Sequence, residues 1–118
     1  MRKDEIAERL FEAAAKVVRR AGLRLGAGAE ADLRTYAETA AEEVLKPRPT
    51  DLGPKGLVIE ERLQLAEAAF EKVGRTMLYA VEHLPDYKQF NPGIAGEETL
   101  AFAKVVLCPL WPFCRKRA

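Results

Sequence analysis
His83 is the only histidine in the chain of 118 residues, and Tyr79 precedes it by four positions. On a helix that spacing puts both rings on one face, one turn apart. An imidazole that titrates near neutral pH beside a phenol can hold a polar ligand or pass a proton. Tyr79 and His83 are therefore a candidate ligand site, with small-ligand sensing or an enzyme reaction as the chemistry they would serve. The chain contains no serine, which excludes a serine nucleophile. Its two cysteines, Cys108 and Cys114, have Pro109 and Pro112 between them. Oxidation would close a short loop within one chain, so they form a candidate redox pair. Zinc needs four ligands. One histidine and two cysteines fall short, so no metal and no cofactor is expected.

Glu60, Glu67 and Glu71 share one side of a third helix, and Glu38 and Glu42 lie on a second. A di-iron site in a helical bundle uses Glu-x-x-His pairs. Ala80 stands three residues before His83, so that motif is missing. The acidic residues then read as solvated faces, with Glu71 and Arg75 as an i,i+4 ion pair. Gly22, Gly26 and Gly28 crowd one short segment, but no Gly-Lys-Thr ending follows them. A phosphate-cradling loop is not expected there. Arg19, Arg20 and Arg24, together with Arg115, Lys116 and Arg117, are a candidate patch for an anionic partner.

Helical periodicity supplies the frame for these residues. Ile6, Leu10, Ala13 or Ala14, Val17 and Ala21 recur at steps of three and four and predict a helix over 3–21. Gly22 ends it, and 22–28 reads as a loop. A second helix is expected over 30–46, with Leu33, Tyr36 or Ala37, Ala40 and Val44 inward. Three prolines and two glycines follow within 47–56 and forbid helix. The third helix, 57–84, carries Ile59, Leu63, Ala66, Phe70, Val73, Met77, Ala80 and Leu84 as an unbroken heptad seam. Gly74 interrupts it and costs about 1 kcal/mol relative to alanine, which points to a close helix crossing. Residues 85–96 read as a loop, 97–107 as a fourth helix, and 115–118 as a short basic tail. The expected fold is all-α: a bundle-like single domain of four helices over 1–118, with a long third helix and an apolar C-terminal segment.

Composition bounds the function. Nineteen basic and 18 acidic residues leave a net charge of +1, which disfavours nucleic acid as the main partner. No apolar run is long enough to span a membrane, and the prolines of Leu110-Trp111-Pro112-Phe113 spoil a surface anchor. The charged start Met1-Arg2-Lys3-Asp4-Glu5 is not followed by an apolar stretch, so a reducing cytoplasm is the expected location. Scarce amides alongside abundant Arg and Glu fit a thermophile or a GC-rich genome. Leu10-Phe11-Glu12-Ala13-Ala14 followed by Gly22 is similar to the first helix of repressor-type DNA-binding domains. The likeness stops there, because one long acidic helix follows where a short helix–turn–helix is required, and no family is assigned.

No catalytic constellation emerges, so the leading expectation is a non-enzymatic helical interaction or regulatory module that self-associates. From Leu100 to Phe113 the only charged residue is Lys104. Phe102, Val106, Leu110, Trp111 and Phe113 are the expected oligomer interface, a dimer being favoured, with the third-helix seam as the other surface on offer. Another protein is a further expected class of partner. The alternatives are binding of nucleic acid or a phosphorylated ligand through the basic patches, and a sensor or enzyme around Tyr79 and His83.

Overall fold
The computed structural model describes residues 2–46 and 55–107, with side chains described at 2–46 and 59–107. Helix α1 spans Lys3–Arg20 and buries Ile6, Leu10, Phe11, Ala14 and Val18; of the expected stripe, Val17 is only half-buried and Ala21, past the helix end, is exposed. Asp4 and Glu5 sit in its first turn and Arg19 and Arg20 in its last, each favourable to the helix dipole. The chain leaves α1 at Gly22, whose φ of 86° is left-handed backbone that favours glycine. A two-residue strand follows, β1 (Arg24–Leu25), then helix α2 (Ala27–Leu45). The long helix α3 (Lys55–His83) leads to a single turn of helix, α4 (Tyr87–Phe90), a second short strand, β2 (Ile94–Ala95), and helix α5 (Glu97–Val106).

The molecule is mostly helical, and four longer helices share one core. Helix α1 packs on α2 and α3, and α5 packs on α3 and α2. The heptad seam of α3 lies inside this core: Leu63, Ala66, Phe70, Val73, Met77 and Ala80 are all buried. It is therefore consumed within one chain and is not a surface for a second copy.

Two helix–strand–helix units organise the fold. Helices α1 and α3 run in the same direction, since Arg9 meets Glu67 and Ala14 and Val17 meet Gly74. Helix α1 leads into β1 and α3 leads, by way of α4, into β2; the two strands pair in parallel with Arg24 opposite Ile94 and Leu25 opposite Ala95. Gly26 and Gly96 then occupy equivalent positions as the residues that start α2 and α5. The Gly26 N–H donates to the Ala95 carbonyl at 3.0 Å, which ties the two starts together.

This junction corrects two expectations. Residues 22–28 are not a loop throughout, because α2 begins at Ala27 and takes Gly28 into its first turn. A Cβ at Gly28 would meet only the Glu97 side chain, whose exposed end can swing away, so the two helix starts lie close there without glycine being required. Residues 85–96 likewise contain α4 and β2. The expectations for α1, α3 and α5 hold to within two residues at each end.

Candidate functional site
The structure brings Tyr79 and His83 together as their spacing predicts. Their rings stack with centroids 3.9 Å apart and planes 13° apart. The His83 Nδ1 lies 2.9 Å from the Tyr79 carbonyl oxygen. A carbonyl only accepts, so Nδ1 carries the proton in that bond. Phe102 of α5 also stacks with Tyr79, at 6.0 Å and 15°. The result is a three-ring ladder joining α3 to α5.

The ladder lies on the surface. Tyr79 is 53% exposed, His83 is exposed, and neither lines either of the two clefts described below. A group meant to hold a proton in transit needs a site that orients a substrate and excludes water. Among the described residues the pair lines neither cleft, and the imidazole makes a ring stack and a local hydrogen bond.

What the ladder does create is an open apolar face. Beside Phe102, Val105 is 76% exposed and Val106 49%. Leu65, two heptads before Tyr79 on α3, is 69% exposed. Phe102 and Val106 belong to the interface expected from sequence, whereas Tyr79 is expected there only as a ligand residue. Phe90, in α4, is a separate exposed ring. The remaining expected interface residues, Leu110, Trp111 and Phe113, lie outside the described residues, as do the candidate redox pair Cys108 and Cys114.

The basic patch is partly neutralised. Arg19 reaches Glu12 at 2.9 Å. Arg20 and Arg24 are exposed and have no ion-pair partner among the described residues. Arg115, Lys116 and Arg117 lie outside the described residues. The helix-surface carboxylates are engaged in surface pairs: Glu71 with Arg75 at 3.4 Å, as the spacing predicts, and Glu67 with Arg9 at 3.1 Å. Among the described residues no group of three or more His, Cys, Asp or Glu is placed to hold a metal ion.

Among the described residues, two clefts stand out. One, of about 470 Å³, lies between α1 and α2 over Ala7 and Phe11. The Arg34 guanidinium covers the Phe11 ring at 3.9 Å and bonds Glu8 at 3.2 Å. Lys3 bonds Glu42 at 2.8 Å. That bond, with the charge of Glu42 and then of Glu38, holds the Lys3 ammonium above its ordinary range. The charged groups of this cleft largely satisfy one another. The second cleft, at the carboxyl ends of α1 and α3, is mainly apolar.

Comparison with protein-family models, with curated proteins and with solved structures gave no match. Among the described residues no helix is long and apolar enough to cross a membrane.

Proposed function
We propose that the protein is a non-enzymatic helical interaction module that self-associates, a four-helix, bundle-like scaffold presenting one face of α3 and α5 to a second copy. The observation that carries this reading is the apolar exposure of Tyr79, Val105 and Val106 around the half-buried Phe102. Large apolar side chains are normal singly on a surface, but a cluster of them marks an interface. Completing the burial of those four and Leu65 contributes about 4 kcal/mol on each copy before association costs. A two-fold dimer is the simplest closed arrangement that covers a single such face on every copy.

The test is a Val105→Asp, Val106→Asp double variant. Both side chains are exposed at the end of α5, so the fold is expected to survive, as checked by far-ultraviolet circular dichroism. The expected result is unchanged helicity with the mass falling to that of one chain. Unchanged mass in an oligomer would place the interface elsewhere.

A further inference from the structure
Self-association through α3 and α5 can align two copies in parallel or antiparallel, and the outward stripe of α3 distinguishes the two. Lys72 is exposed at the middle of that stripe. Steps of four, three and four residues in either direction from Lys72 stay on one helix face, and the residues they reach match in pairs. The first pair is small: Ala68, exposed, and Thr76, half-buried. The second is large and apolar: Leu65, 69% exposed, and Tyr79, 53% exposed. The third is Glu61 and His83, both exposed, a carboxylate and a base.

A two-fold axis across an antiparallel helix pair sets each residue opposite the one equally far beyond the axis. With the axis at Lys72, Leu65 meets the partner's Tyr79 and Tyr79 meets the partner's Leu65. Those two contacts are separated by about 21 Å of helix at 1.5 Å per residue. The small residues between them let the helices approach, and Glu61 lies level with the partner's His83. A parallel pair would instead set Glu61 against the partner's Glu61. Helix α5 supports the same centre. It starts at the strand junction and packs on α3, with Phe102 against Tyr79. It therefore runs back along α3 and carries the exposed Val105 and Val106 about one turn closer to Lys72 than Tyr79 is.

We propose that the second copy docks antiparallel along α3, with the two-fold axis at Lys72 and Leu65 packed on the partner's Tyr79. This rests on the self-association reading above and fixes how the partner is turned. Lys72 faces the partner's Lys72, the one like-charge contact on the stripe.

Sedimentation of full-length variants tests it by charge exchange, with circular dichroism confirming that each keeps the parent's helicity. Leu65→Asp and Tyr79→Lys, each alone, should weaken association by at least about tenfold. Carried together in one chain, they set a carboxylate of one copy against an ammonium of its partner at both contacts. Association should then be about tenfold tighter than in either single variant. In a parallel pair the same double variant faces like charges and stays the weakest of the three. Lys72→Gln should tighten association about threefold by removing the repulsion at the axis. A readout that needs no variant is the nuclear Overhauser contact between copies in an equal mixture of isotope-labelled and unlabelled parent chains. It should run from the Leu65 methyls to the partner's Tyr79 ring. A double variant no tighter than the single ones, contacts from Leu65 to the partner's Leu65, or a Lys72→Gln dimer no tighter than the parent would each overturn the proposal. So would a dimer dispersed by Val105→Asp, Val106→Asp and untouched by Leu65→Asp, although self-association itself would stand. A parent that is one chain at every concentration would overturn both.

Discussion

Gly74→Ala is expected to destabilise the protein, although alanine is the better helix former. Position 74 lies inside α3, where the exchange alone favours alanine by about 1 kcal/mol. The crossing with α1 opposes it. A Cβ placed on Gly74 would lie 2.6 Å from the Ala14 carbonyl oxygen and 2.9 Å from the Val17 Cβ. Both obstacles belong to the body of α1, not to a flexible side-chain tip, so the two helices must move apart by a fraction of an ångström. Overpacking of that kind costs about 1–3 kcal/mol, and the separation also loosens contacts along Phe11, Phe70 and Val73. We expect a net loss of about 1–2 kcal/mol, and about 3 kcal/mol or more for Gly74→Val. For a chain of this size that is roughly a 5–10 °C fall in Tm for alanine. Urea unfolding followed by circular dichroism provides the assay. Arg75→Ala, a change at an exposed neighbour, serves as the control and should stay within about 0.5 kcal/mol of the parent. Stability of Gly74→Ala equal to or above the parent would refute the close crossing and the packing of α1 on α3 derived from it.

Three further outcomes follow from the junction and the surface pairs. Tyr87→Phe removes the hydroxyl that accepts the Gly96 N–H at 2.7 Å; it should cost about 1–2 kcal/mol in urea unfolding, and no loss would show that water replaces the bond. Lys104 bonds Asp32 at 2.7 Å and lies 4.4 Å over the Tyr36 ring, so a Lys104→Met, Asp32→Asn double-mutant cycle should give a coupling of about 0.5–1 kcal/mol that shrinks in 1 M salt. The Asp4 carboxyl is held below the usual aspartate range chiefly by its bond from Arg2; its contribution is present at neutral pH and is lost as pH falls through that lowered value. Arg2→Ala should move its titration, read by carbon-detected magnetic resonance, up toward the ordinary range, the backbone N–H bond from Glu5 still holding part of the shift.

The parts of this fold legible in the sequence are those set by short-range periodicity. The stripe of α1 and the seam of α3 repeat every three or four residues, and the buried residues follow them closely. Gly74 within an apolar seam signalled a close approach, and the structure supplies its partner, the Ala14–Val17 turn. The junction was not legible. Arg24-Leu25 and Ile94-Ala95 are too short to show alternation, and each is a strand only because the other lies beside it, far away in sequence. Gly26 and Gly96 read as loop punctuation, whereas their equivalence appears only when the two units are seen side by side.

The same limit governs the site. A four-residue spacing was enough to bring Tyr79 and His83 into contact. It could not say whether that contact opens on a cavity or on water, because exposure depends on where α5 lies. The placement of α5 turns Tyr79 into part of an aromatic ladder and leaves Val105 and Val106 outward. The seam of α3, which looked equally able to join two copies, is covered by the other helices of its own chain.

The central claim is that the open face of α3 and α5 is covered by a second copy. Light scattering of the native chain across micromolar concentrations measures this directly. The account predicts a mass of twice the 13.1 kDa chain, or a higher whole multiple, approached as concentration rises. A mass that stays at that of one chain at every concentration would contradict it.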